Sequence, residues 1–196
     1  MNKEDFFNNW APIYDWMFPS VFYQAVHQRL LEYIELRQEA NILDIGCGTG
    51  KLLNNLASQF PDLRGTGLDF SPEMLNQARE SRSHRPRLIF VRGNAESLPF
   101  AEEQFDAVFN TISFLHYQKP ERVLSEVKRV LRPGGRFYLV DSSWKSQQEP
   151  IYISFSPKGV KFYSPELREQ MGTEVGLNCV GHEHLIGPVL LTIFRK

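Results

Sequence analysis

The feature that most constrains this chain is a regular alternation of short apolar runs with helix-periodic segments between Asn41 and Ser142. "NILDI" reads as a short buried strand, and after a glycine-rich turn "KLLNNLASQF" is helical until Pro61. "RGTGLDF" is a second strand, and "SPEMLNQARES" a helix with Ser71 as its N-cap and Pro72 at its first position. "RLIFVRG" follows as a third strand and "FDAVFNTI" as a fourth, apolar enough to be buried on both faces. "ERVLSEVKRVL" is a helix closed by Pro133-Gly134-Gly135, and "RFYLVDS" is the fifth strand. Such alternation builds a parallel sheet with helices on both faces, and right-handed crossovers leave few topologies for it.

The two ends differ from this middle. Residues 20–36, "SVFYQAVHQRLLEYIEL", place Val21, Phe22, Ala25, Val26, Leu30, Ile34 and Leu36 at helical spacing, which predicts an amphipathic helix. Near the C-terminus "SPELREQMGTEVGL" repeats the Ser-Pro helix start. "NCVGHEHLIG" and "PVLLTIFRK" then meet at Gly187-Pro188 with no room for a helix between them. A connection that tight forces an antiparallel pair. The expectation is therefore an α/β, Rossmann-like fold: a mostly parallel seven-stranded sheet, helices on both faces, and a C-terminal antiparallel hairpin. With 196 residues a single domain spans 1–196, with 1–36 as an N-terminal helical cap and 142–163 as a short lid segment.

Composition excludes several classes. An apolar fraction of 42% with 23% charged residues is that of a globular chain, and a net charge of −1 supplies no field towards nucleic acid or an anionic membrane. Arg79, Arg82, Arg85 and Arg87 read as a solvated helix end and loop. The two cysteines, Cys47 and Cys179, show no CxxC or Cys/His metal spacing, so no metal and no disulfide framework is expected. "MNKEDFFNNW" has no apolar core of a signal peptide, and "LIGPVLLTIF" is too short to span a bilayer. A cytoplasmic protein without integral membrane association is expected.

The loop "GCGTGK" decides among nucleotides. A phosphate-binding Walker loop needs a glycine where Ile45 stands and a hydroxyl where Leu52 stands. The dinucleotide pattern needs a third glycine where Lys51 stands. Asp44 lies just before the glycines, at the carboxyl end of the first strand; it would repel a pyrophosphate and attract an amino group. Asp69 ends the second strand, where an acid accepts hydrogen bonds from both ribose hydroxyls. A ligand with a ribose at one end and a cation at the other fits both, and S-adenosylmethionine has that shape.

These segments resemble the class I S-adenosylmethionine-dependent methyltransferases, in the small-molecule group of the ubiquinone/menaquinone methyltransferases. "LDIGCGTG", "GLDFSPEML", "GNAESLPF", "FDAVFNTISFLHY" and "VLRPGGRFYLVD" follow that family's motifs in order, and "NNWAPIYDWMF" is similar to its N-terminal helix. The resemblance implies that Gly46, Cys47, Gly48 and Gly50 turn the chain against the methionine part of the cofactor. It implies that Asp44 fixes the amino group, that Asp69 takes the ribose hydroxyls, and that Phe70 and Met74 pack near ribose and adenine. Asn94, where the family often has Asp, would read the adenine amino group beside the Ala95 backbone, and Asn110 completes the cofactor set.

A sulfonium is already an activated leaving group, so alignment and exclusion of water suffice unless the acceptor must lose a proton. Asn110, His116, Tyr117 and Asp141 stand near the ends of the fourth and fifth strands, and His116 is the candidate base, with a purely structural histidine as the alternative. Phe6, Phe7, Trp10, Tyr14, Trp16, Phe18, Phe22 and Tyr23 either staple the first helix to the sheet or wall an apolar acceptor pocket, with Tyr14 facing the site. "SFLHY" replaces the quinone enzymes' FGxRN stretch, and the segment after the fifth strand is short, so the acceptor stays open. The expected function is methyl transfer to a small apolar or aromatic molecule. The alternatives are a non-catalytic cofactor-binding regulator and an NAD-dependent oxidoreductase.

Overall fold

The computed structural model describes residues 18–81, 83–144, 150–153 and 159–196. Helix α1 is Phe18–Leu31, and β1 (Asn41–Ile45), α2 (Lys51–Gln59), β2 (Arg64–Asp69), α3 (Pro72–Ser81), β3 (Leu88–Arg92) and β4 (Phe105–Thr111) follow. After a 3-10 turn at Phe114–His116 come α4 (Pro120–Val130), β5 (Leu131–Ser142), β6 (Ile151–Ile153), β7 (Val160–Phe162), α5 (Pro165–Glu174), β8 (Asn178–Ile186) and β9 (Val189–Arg195). The main sheet has seven strands in the order β3-β2-β1-β4-β5-β9-β8, the first five parallel and β9 antiparallel to both neighbours. The expected hairpin and parallel framework are both present. β6 and β7 form a separate two-stranded ribbon inside the 142–163 segment.

Period-two alternation builds two cores. Ile42, Phe109 and Tyr138 face one side with Leu30 of α1 and Leu53 and Leu56 of α2. Leu43, Val108 and Phe137 face the other with Val123, Leu124 and Val127 of α4. Both Ser-Pro helix starts work as expected: Ser71 Oγ accepts from the Met74 amide at 3.2 Å, and Ser164 Oγ from the Leu167 amide at 3.3 Å.

Three local expectations are revised. α1 stops at Leu31 and not at residue 36, because the Tyr138 hydroxyl takes the Glu35 amide at 3.0 Å; Ile34 and Leu36 still reach the core from an extended segment. Pro133-Gly134-Gly135 does not close α4. The helix ends at Val130, Leu131 already pairs with Phe105, and a register shift with Gly134 at φ 77° absorbs the turn inside β5. Arg87 is not a solvated charge: its guanidinium donates to the Ala57, Phe60 and Leu63 carbonyls and closes the C-terminal end of α2. Among the described residues no helix is long and apolar enough to cross a membrane.

Arg168 of α5 fixes the hairpin to the site. It is 2% exposed and donates to the carbonyls of Leu190, Asp141 and Ser142 at 3.0, 3.0 and 3.1 Å. Burial pulls its pKa down to about 10, against the opposing charge of Asp141. Asp141 accepts from the Leu115 amide at 3.0 Å and the Ser142 amide at 2.8 Å, so it anchors the turn that carries His116. Arg168→Met strands three carbonyls and a buried carboxyl. Urea unfolding should show a loss of about 3 kcal/mol, the usual cost of removing one partner from a buried charge pair.

Candidate functional site

The site lies at the carboxyl ends of β1, β2 and β4, where parallel strands splay and the loops leave the sheet. The chain turns there through Gly46, Gly48 and Gly50, at φ 73°, 52° and 76°, a region that glycine enters without penalty. The three glycines serve different ends. A Cβ on Gly46 would lie 2.5 Å from Ser113 Oγ, so that residue is close packing against the turn after β4. A Cβ on Gly50 would strike the Phe90 ring at 2.7 Å; this expected cofactor residue packs the loop onto β3 and lines neither cavity described below. At Gly48 a Cβ would meet nothing within 4 Å among the described residues, so its bare face opens onto a cavity.

Asp69 and the loop hold each other. Its Oδ2 accepts from the Gly48 amide at 2.8 Å and its Oδ1 from the Ser71 amide at 2.9 Å. The carboxylate keeps acceptor capacity for a further donor such as a ribose hydroxyl. Burial raises its pKa, and the amides of Ser71, Gly48 and Phe70 oppose the shift. Asp44 is 2% exposed, and its pKa is pushed up to about 8, first by burial and then by the charge of Asp69. A carboxyl kept out of water in this way has a strong demand for a cation.

Two cavities meet over the loop, sharing Gly46, Gly48 and Thr111 as walls. The larger, about 300 Å³, is lined by Asp69, Phe70, Met74, Asn94, Ala95 and His116 among others. Met74 is therefore both buried, at 3% exposure, and part of the cavity wall. Phe70 is half exposed, with the Arg92 guanidinium 5.9 Å from its ring centre. Asn94 Oδ1 accepts from the Glu96 amide at 2.9 Å, which locks the turn beside Ala95 and leaves the oxygen one free lone pair. His116 stands on this larger side, in the turn after β4.

The smaller cavity, about 50 Å³, is lined by Asp44, Cys47, Lys51 and Thr111 and by Tyr23 and His27 of α1. Lys51, the first residue of α2, is half-buried there. His27 and Thr111 are site residues that sequence reasoning missed. His27 is 8% exposed, and burial, then Lys51, lowers its pKa to about 4, so it is neutral. Its Nδ1 and Thr111 Oγ1 are buried without a hydrogen-bond partner among the described residues. Two such atoms beside a buried carboxyl describe a receptor waiting for a polar, cationic group.

Two further placements matter. Asn110 does not line either cavity; fully buried, its Nδ2 lies 2.9 Å from the Ile45 carbonyl, 2.7 Å from Ser113 Oγ and 2.8 Å from the Tyr117 hydroxyl. The Ile45 carbonyl fixes which way the amide points, since the reverse would set oxygen against oxygen. Asn110 thus holds the two hydroxyl residues that do line the larger cavity. Burial keeps the Tyr117 phenol protonated. Ile112, also in that wall, has φ 50°, a strained conformation for a β-branched side chain. No sequence signal marks it. Cys47 is buried, its Sγ packed where a Cβ on Gly67 of β2 would fall. Tyr14, with Phe6, Phe7, Trp10 and Trp16, lies outside the described residues.

A methyltransferase domain model matches residues 43–139. A fatty-acid O-methyltransferase of Mycolicibacterium smegmatis is 42% identical over 101 residues, which are 52% of this chain and only 36% of that protein. A demethylmenaquinone methyltransferase of Listeria monocytogenes is 32% identical over 178 residues, covering 83% of this chain and 74% of that one. Among solved structures, a putative methyltransferase bound to the Trm112 activator of Haloferax volcanii superposes with a TM-score of 0.82. The match covers 98% of this chain and 96% of that one at 23% identity, a likeness of fold.

Proposed function

The chain belongs to the class I S-adenosylmethionine-dependent methyltransferases, and we propose that it transfers the cofactor's methyl group to a small apolar or aromatic acceptor. One observation carries the reading. Two cavities joined at Gly46, Gly48 and Thr111 each hold a carboxyl, Asp69 on the ribose side and Asp44 on the side that needs a cation. A dinucleotide's pyrophosphate offers the buried Asp44 no cation and would hold its carboxyl protonated, which disfavours the oxidoreductase reading.

When bound, S-adenosylmethionine supplies a methyl group on a positively charged sulfur, which needs no further activation. The chain's own residues hold and orient. Asp69 accepts from the ribose hydroxyls, and Asp44 pairs with the amino group. Thr111 Oγ1 and Nδ1 of the neutral His27 offer two more polar atoms on that side. Tyr117 is held protonated, and Asp141 already accepts two backbone amides, so neither is free to act as a base. His116→Gln should raise KM for the cofactor about 5-fold, the weight of one hydrogen bond, with kcat unchanged. A fall in kcat of about 100-fold or more would make it the general base instead.

The acceptor class rests on the relatives, one named for fatty acids and one for demethylmenaquinone. The test is turnover: methyl-labelled cofactor is incubated with the protein and a panel of apolar acids, phenols and quinols. Label recovered in the organic extract is expected. Tight cofactor binding with no transfer to any of them would point to a non-catalytic binding protein.

A further inference from the structure

We propose that Glu169, Cys179 and His182 form a binding site for a soft divalent cation, zinc, between α5 and the terminal hairpin. None of the three lines either cavity, and β5 and β9 separate β8 from β4 in the sheet. Their ligand atoms all lie within 4.8 Å of one another. Cys179 Sγ is 3.6 Å and Glu169 Oε2 3.8 Å from His182 Nε2. Tetrahedral zinc, with bonds of about 2.3 Å to sulfur and about 2.0 Å to nitrogen, sets those two atoms about 3.5 Å apart.

Sequence spacing hides this site. Residues three apart on a regular strand point to opposite faces. Here a β-bulge intervenes: Cys179 pairs with Phe194 and His182 with Thr192, while Val180 is the extra residue. Phe194 and Thr192 are two apart, so Cys179 and His182 come to the same face, the one α5 brings Glu169 to. The bulge re-aims the pair.

A second observation points the same way. His182 Nδ1 is 3.0 Å from Thr192 Oγ1, and Thr192 is fully buried. A metal-binding imidazole uses its second nitrogen in this manner, which fixes the tautomer and turns the other lone pair to the ion. Glu166 and Glu169 add negative charge around His182, while the nearby Arg168 is committed to three carbonyls. As the sulfur–zinc bond forms, the Cys179 thiol proton leaves to solvent, and a water takes the fourth position.

The test uses the full chain and cobalt(II) as a spectroscopic substitute for zinc. One equivalent should bind, with a thiolate-to-cobalt charge-transfer band and the visible bands of tetrahedral cobalt, and zinc should displace it. Cys179→Ser should abolish the charge-transfer band, and Thr192→Val should weaken binding about 10–100-fold with the band retained. A wild-type spectrum without a thiolate band overturns the proposal, whatever the variants do. So does zinc affinity unchanged in both Cys179→Ser and His182→Gln. Circular dichroism of the metal-free variants separates lost ligands from lost fold.

Discussion

Asp44→Asn is expected to weaken S-adenosylmethionine binding by about 100-fold or more while leaving the ligand-free protein at least as stable. Removing one partner from a buried ion pair costs about 3–5 kcal/mol, and 1.4 kcal/mol is tenfold in affinity. In the ligand-free protein the same carboxyl is a liability. Its pKa is about 8 in the folded chain, against about 3.9 when unfolded. Between those values the folded state holds a proton that the unfolded state has released, so stability falls as pH rises through the window. Asparagine has no proton to lose and removes that decline. His27 has the opposite sign: its pKa falls to about 4 from 6.5, so its contribution grows as pH rises between them. Asp141, raised to about 6, has completed its effect below that pH. Stability measured between about pH 7 and pH 8.5 therefore isolates Asp44 from these two groups. Binding near pH 7 should also release the Asp44 proton, since a cation beside it favours the ionised form. Calorimetry in buffers of different ionisation enthalpy reads that proton directly, and Asp44→Asn should not release it.

The second large effect separates two glycines that look alike in sequence. Gly46→Ala places a Cβ 2.5 Å from Ser113 Oγ and 2.7 Å from Ser113 Cβ, at φ 73°. The strain and the overpacking each cost about 1–3 kcal/mol. The displaced Ser113 takes the Asn110 and Tyr117 contacts with it. A clear loss in thermal midpoint and loss of cofactor binding are expected together. Gly48→Ala meets nothing within 4 Å among the described residues. It should cost only the φ 52° strain, about 1 kcal/mol, yet abolish tight binding because its methyl occupies space the cofactor needs. Thermal melts paired with calorimetry distinguish the two. Equal stability losses in both variants would contradict this assignment.

What the sequence made legible follows from how local each signal is. The Ser71-Pro72 and Ser164-Pro165 starts are contained in a few residues, and both caps form as read. The parallel framework and the terminal hairpin follow from alternation and crossover length, which any such fold must satisfy. The end of α1 was not legible, because the group that takes the Glu35 amide is Tyr138, from a distant strand. His27 reads in sequence as one polar position on an amphipathic helix; only the placement of α1 over the glycine loop makes it a wall of the smaller cavity. The resemblance places Asn110 in the cofactor set, but near the end of β4 its amide turns inward to the Ile45 carbonyl. The Glu169, Cys179 and His182 cluster escaped for a similar reason, since a bulge has no spacing rule of its own.

The central claim is that the loop after β1 and its two carboxyls receive a ribose and a cation rather than a pyrophosphate. Titration calorimetry of the full chain with S-adenosylmethionine and with NAD, on wild type and Asp44→Asn, tests it most directly. The account predicts one-to-one binding of S-adenosylmethionine, at least about 100-fold weaker in the variant, and no comparable affinity for NAD. Preference for NAD, or S-adenosylmethionine affinity unchanged by Asp44→Asn, would contradict it.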